Sequence, residues 1–162
     1  FDENKINILK KKIDTNKAVN LEIGFGDGKN LLHQSQKYQD EIFLGCDPYL
    51  KGSIDIEKRI RNLNIKNLFL TSIDFLSLFN HINHICFKTI IVLFPDPWPK
   101  LKHKKRRLIN EDFIKKLKVI SNKKTKVLIS TDDYDYLNQI LYNFLLFQMN
   151  LLDLDQVVAF EL

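Results

Sequence analysis

Apolar and polar positions along this chain fall into short blocks of alternating character. Ala18-Val19-Asn20-Leu21-Glu22-Ile23 predicts a buried strand that runs into Gly24-Phe25-Gly26-Asp27-Gly28. A helical stretch follows from about Lys29 to Tyr38. Ile42-Phe43-Leu44-Gly45-Cys46 is a second apolar run, ended by Asp47-Pro48. Residues 51–63 predict a basic amphipathic helix, with Ile56, Ile60 and Leu63 on one face. Asn67-Leu68-Phe69-Leu70-Thr71 predicts a third strand ending near Asp74, then a short helix from Phe75 to Phe79 and a loop carrying His81 and His84. Thr89-Ile90-Ile91-Val92-Leu93-Phe94 is the clearest strand, β-branched, uncharged and stopped by Pro95. Asn110 can cap a helix whose inner face is Phe113, Leu117 and Ile120. Lys126-Val127-Leu128-Ile129-Ser130 predicts a fifth strand, ending at Thr131-Asp132. Leu137, Ile140, Leu141, Phe144 and Leu145 mark a last helix, and 151–162 reads as a further strand.

Strands apolar on both faces, alternating with helices, imply a mostly parallel sheet covered on both sides: an α/β three-layer sandwich. Ligands of such sheets bind outside the carboxyl ends of the strands, where strand order reverses. Glu22, Asp47, Asp74, Asp96 and Asp132 lie at or near five successive strand ends. One Asp there is more often a turn former or helix cap. Five in a row beside a glycine loop point to a site.

The stretch after the fourth strand stands apart. Phe94-Pro95-Asp96-Pro97-Trp98-Pro99 holds three of the four prolines in the chain. Each fixes its own φ, and each keeps the residue before it (Phe94, Asp96, Trp98) out of the helical region. The expectation is a stiff extended loop that aims Asp96 and Trp98. Six Lys or Arg follow within positions 100 to 107. Lys100, Lys102, Lys104, Lys105, Arg106 and Arg107 read as a strip that contacts phosphates, against the plainer reading of a solvated helix start. Trp98 is more often an anchor than a base-stacking platform.

The glycine loop sets the cofactor expectation. Gly24 and Gly26 allow a tight turn and close backbone approach. The spacing is G-x-G-x-G rather than the G-x-G-x-x-G of dinucleotide folds, and Asp27 sits where a phosphate would be repelled. A ligand with an ammonium and a sulfonium suits the loop better. Asp47 lies 23 residues beyond Gly24, where an acid can accept from a ribose diol, and Asp74 can accept from an adenine amino group. This points to S-adenosylmethionine rather than NAD.

Composition narrows the classes. The chain has 162 residues, enough for one domain (1–162) with a real core, and is 44% hydrophobic. Residue 1 is Phe, so a fragment or excised domain is expected. No apolar run approaches the ~20 residues that span a bilayer, and no signal-peptide pattern is present. Net charge is +5, which favours an anionic partner. Cys46 and Cys86 form no framework, which suits a reducing cytoplasm. His81 and His84 have no third ligand nearby in sequence, so no metal is expected.

Leu21-Glu22-Ile23-Gly24-Phe25-Gly26-Asp27-Gly28, Phe94-Pro95-Asp96-Pro97-Trp98-Pro99-Lys100 and His103-Lys104-Lys105-Arg106-Arg107-Leu108 together resemble the tRNA (guanine-N7)-methyltransferase family. Thr131-Asp132 fits the same pattern, and the resemblance covers roughly 18 to 148. It implies a seven-stranded, Rossmann-like S-adenosylmethionine methyltransferase fold, cut short at its C-terminal end here. It implies methylation of a guanine in the variable loop of tRNA, with tRNA rather than DNA or membrane as partner. By the same resemblance Glu22, Gly24, Gly26, Asp47, Asp74 and Asp96 bind the cofactor. Asp96 is then also the active-site acid, and Lys100 and Asp132 contact substrate.

The chain departs from that pattern in places. Asp47 stands where the family usually has Glu. Val158-Ala159-Phe160-Glu161 matches half of a Thr-x-Phe/Tyr-Glu substrate motif, and the full motif is expected past residue 162. The basic segment before the glycine loop is short. Two rival readings are a non-catalytic tRNA-binding module of the same fold and a Rossmann-type NAD(P)-dependent oxidoreductase.

Overall fold

A computed structural model describes residues 17–146. Five strands, β1 (Val19–Ile23), β2 (Ile42–Cys46), β3 (Leu68–Thr71), β4 (Thr89–Leu93) and β5 (Lys126–Ser130), form one parallel sheet in the order β3-β2-β1-β4-β5. Between them run α1 (Lys29–Lys37), α2 (Leu50–Asn62), α3 (Phe75–Ile82) and α4 (Glu111–Val119), with α5 (Tyr134–Leu146) after β5. Each strand lies within a residue of its expected place. The implied sixth and seventh strands, the expected strand at 151–162 and Val158-Ala159-Phe160-Glu161 lie outside the described residues.

Side chains alternate across the strands, so each face builds its own core. Leu21, Leu44, Ile90, Val92 and Val127 pack with Phe75, Phe113, Leu117, Tyr136 and Ile140 of α3, α4 and α5. Phe43, Leu68 and Leu70 pack with Leu31, Leu32 and Ile56 of α1 and α2. β1 departs from the apolar rule on this second face, where Asn20 and Glu22 are buried. Burying a polar group is costly unless it is bonded. Asn20 donates to Glu41 Oε2 at 2.8 Å, and Asn30 of α1 donates to Glu22 at 2.7 Å.

Two elements run longer than their local pattern suggests. α3 continues through His81 to Ile82 because Leu78 and Ile82 stay on its buried face. α5 starts at Tyr134, since the Asp133 carboxylate accepts from Tyr136 N at 2.7 Å. The strand order reverses between β1 and β4, with β2 and β3 to one side and β5 to the other. A ligand crevice is expected above that junction.

Candidate active site

A cavity of about 590 Å³ opens there. Its first half is built by the ends of β1 to β3, with Gly24, Gly26, Cys46, Asp47 and Asp74. Its second half follows β4, with Phe94, Pro95, Asp96 and Trp98, backed by Arg106 and Leu108.

The glycine loop is an open cradle. Gly24 and Gly26 have φ of +75° and +56°, and a Cβ added to either meets no atom within 4 Å. Their backbone can therefore meet a ligand directly. Gly28 serves packing instead, because a Cβ there would sit 1.9 Å from Ile56 Cδ1. Asp27 faces solvent in an ion pair with Lys29 at 2.6 Å and does not line the cavity. Phosphate repulsion by Asp27, expected from sequence, is thus not supported by its placement.

The acids of the first half are engaged by the protein. Asp47 accepts from Gly26 N through Oδ2 and from Tyr49 N through Oδ1, both at 2.8 Å. Each oxygen keeps a second lone pair for a ligand. Asp74 caps α3, accepting from Ser77 N at 3.0 Å and Ser77 Oγ at 2.7 Å. The Ser77 hydrogen bonds hold its carboxyl below the usual carboxylate range. Glu22 is 2% exposed and lies beneath the loop rather than in the cavity wall. Burial pushes its pKa up to about 7, against the Asn30 hydrogen bond. Asn30 gave no signal in the sequence, since only the fold brings α1 over β1. Cys46 lines the cavity, and burial pushes its thiol up, which disfavours the thiolate.

The second half is arranged differently. Asp96 lines the cavity, and among the described residues no hydrogen bond or ion pair engages its carboxylate. The proline-flanked loop is not simply extended. Phe94 and Trp98 have φ of 49° and 43°, in the left-handed region that costs a bulky residue about 1–2 kcal/mol. Proline disfavours the right-handed helical region for the residue before it, and Phe94 and Trp98 adopt positive φ instead. Trp98 is half-buried and carries partners on its ring: the Arg106 guanidinium at 5.0 Å and His103, edge-on, at 5.8 Å.

The basic run forms a 3₁₀ helix (Leu101–Arg106). Lys100, Lys102 and Lys105 are exposed. Lys104 pairs with Asp135 at 2.6 Å. Arg107 corrects the sequence expectation, because it is 2% exposed and unavailable to phosphate. Its Nε donates to Pro97 O at 2.6 Å, and its other nitrogens donate to Gln139 at 2.8 Å and Asp135 at 2.7 Å. The guanidinium also lies 4.7 Å from the centre of the Tyr136 ring. Arg107 thus ties the Asp96 loop to α5. Asp132 is exposed after β5; neither it nor Lys100 lines the cavity. His81 and His84 belong to no metal-binding cluster among the described residues.

Known proteins resemble this chain in sequence and in fold. Residues 16–157 match the methyltransferase family model Methyltransf_4. A curated tRNA (guanine-N(7)-)-methyltransferase of Wolbachia pipientis wMel is 37% identical over 83% of this chain and 61% of its own length. One from Neorickettsia sennetsu is 31% identical over 86% of this chain and 68% of its own. The chain belongs to the tRNA (guanine-N7)-methyltransferase family. It spans between about half and two thirds of the length of the first curated relatives it matches. The fold is shared more widely. A 16S rRNA (adenine(1408)-N(1))-methyltransferase from Catenulisporales acidiphilia, solved with cosubstrate SAM, superposes with a TM-score of 0.63 at 18% identity. That match covers 86% of this chain and 68% of the other. Membership of a methyltransferase family sets aside the oxidoreductase reading. For this family member, the open glycine backbone and the acids Asp47 and Asp74 fit a cationic nucleoside cofactor, and the volume suits one.

Proposed function

We propose that this protein transfers a methyl group from S-adenosylmethionine to N7 of a guanine in the variable loop of tRNA. The observation that carries this reading is the division of one cavity into two halves. Gly24, Gly26, Asp47 and Asp74 line the first, and Asp96 lines the second. When bound, the cofactor supplies a methyl group already activated by its positively charged sulfur. Gly24 and Gly26 would receive it on bare backbone, Asp47 would accept from its ribose hydroxyls, and Asp74 from its adenine amine. Glu22, bonded to Asn30, would add negative charge beneath the loop as it ionises around pH 7.

Guanine N7 carries a lone pair and no proton, so no residue has to act as a general base. What remains for the protein is alignment and exclusion of water. Asp96 can accept from guanine N1–H and the exocyclic amine, which fixes the edge of the base. Its carboxylate also offsets the positive charge that develops on the ring. Lys100 and Asp132, both exposed, would contact the tRNA beside the loop and after β5. Lys102, Lys105 and Arg106 contact phosphates. A tRNA substrate supports a cytoplasmic site for the reaction.

The test is a methyl-transfer assay with the full-length protein, S-adenosylmethionine and unmodified tRNA, read as N7-methylguanosine by mass spectrometry of digested RNA. Stoichiometric methylation at one variable-loop guanine is expected. Tight cofactor and tRNA binding with no methylated product would favour the non-catalytic RNA-binding module instead.

A further inference from the structure

Phe94 is the last residue before the proline loop, and it is 51% exposed. It lines the second half of the cavity, two positions from Asp96. Its backbone is fixed from one side, because its N–H donates to Ser130 O at 2.8 Å and extends the β4–β5 pairing. Yet its φ is 49°, a conformation that suits glycine and strains a bulky residue. Folding alone explains neither feature. The core of β4 is supplied by Ile90 and Val92, and a glycine would relieve the strain. The ring of Trp98 is taken by Arg106 and His103. Among the described residues no aromatic or cationic side chain lies on the ring of Phe94.

We propose that Phe94 is the face on which the acceptor purine stacks. This inference rests on the reading of the cavity as the meeting place of cofactor and guanine. A purine presents a flat π face and an edge, and both must be fixed for in-line transfer. The N7 lone pair lies in the plane of the base, so a ring stacked on that plane leaves the N7 edge free to turn toward the first half. Phe94 sets the plane, and Asp96, two residues on, sets the edge. Stacking accepts any base. Selection of guanine therefore stays with Asp96.

The experiment compares full-length wild type with Phe94→Gly, Phe94→Ala and Phe94→Trp. Base–aromatic stacking predicts a fall in kcat/KM for tRNA of about 5- to 150-fold in the Gly and Ala variants. Phe94→Trp keeps activity within a few-fold. S-adenosylhomocysteine affinity is unchanged in all three. The Gly variant unfolds at the same temperature as wild type or higher, since its backbone strain is gone, which separates lost stacking from lost fold. Full activity in Phe94→Gly overturns the platform. So does a loss of S-adenosylhomocysteine affinity that matches the loss of activity, because the ring then serves the cofactor. An inactive wild type overturns the enzymatic reading itself, and the platform with it.

Discussion

The two halves of the cavity hold their functional groups by opposite means. Toward β1, β2 and β3, the acids are bonded to the protein itself: Glu22 to Asn30, Asp47 to Gly26 and Tyr49, Asp74 to Ser77. Toward β4, the Asp96 carboxylate has no such partner among the described residues, and its loop is held by three prolines, two positive φ angles and the Arg107 contact to Pro97. The first half is built to receive a molecule of fixed shape, with its acceptors already oriented. The second keeps one acid unsatisfied in a stiff frame, so that the incoming base completes its hydrogen bonding. Electrostatic preorganisation needs the frame fixed and the charge available.

The most direct way to break this contrast is at Asp96. Asp96→Asn keeps the shape and removes the charge. A loss in kcat on the order of 10²- to 10³-fold is expected, the scale for removing one preorganised group. Stability should stay as in wild type, since among the described residues the Asp96 carboxylate has no hydrogen-bond or ion-pair partner, and S-adenosylhomocysteine affinity should change far less than kcat, because Asp47 and Asp74 hold the nucleoside. Near-normal turnover with intact cofactor binding would show that the acid is not what aligns the base.

Arg107 tests the frame. Arg107→Met removes the donors to Pro97 O and Gln139 and should lower unfolding free energy by about 2–4 kcal/mol. Arg107→Lys should recover little of it, because one ammonium cannot match three bonds made by a planar fork. Chemical denaturation measures the first effect. Under conditions where the variant is folded, kcat should fall while S-adenosylhomocysteine affinity holds. A parallel loss of both would mean that Arg107 supports the whole fold and not the Asp96 loop.

That residue also marks where the sequence stops being informative. The five strands, the glycine loop and the acids after β2, β3 and β4 are visible because buried strands and turn acids leave local signatures. Ala18 to Ile23 even showed its two polar positions. Within Lys104-Lys105-Arg106-Arg107, however, local pattern gives every cation the same solvated reading. Which one turns inward is decided by Asp135 and Gln139, 28 and 32 residues away. The left-handed turns at Phe94 and Trp98 were hidden for a related reason. Proline disfavours one region for the preceding residue, but tertiary packing chooses among those left.

Glu22 sharpens the contrast through pH. Its folded pKa of about 7 lies above the ordinary 4.5. Its contribution to stability is therefore fully present below about pH 4.5 and is lost as pH rises through about 7. Glu22→Gln should remove this loss, making the free protein about 2–3 kcal/mol more stable than wild type at pH 8. The same change should weaken a cationic cofactor. Wild-type affinity for S-adenosylmethionine should rise with pH up to about 7, as Glu22 ionises beneath the loop, and Glu22→Gln should flatten that rise. A calorimetric titration between pH 5.5 and 8 checks both. An unchanged affinity profile would leave Glu22 a buried structural acid.

The smallest effects belong to the exposed cations, and they separate affinity from chemistry. Lys100, Lys102, Lys105 and Arg106 are exposed, whereas Lys104 is partly spent on Asp135 and Arg107 is buried. If the exposed side chains neutralise tRNA phosphates, log affinity falls linearly with log salt, by about 0.7–0.9 per phosphate contacted. Lys102→Ala with Lys105→Ala should reduce that slope by roughly 1.5 and leave kcat at saturating tRNA unchanged. Lys104→Ala should change it less, because its charge is already offset. These contacts position the RNA without choosing the base. A double variant that lowers kcat but keeps the salt slope would place the strip in the second half of the cavity. An unchanged slope with unchanged kcat would return it to a solvated surface.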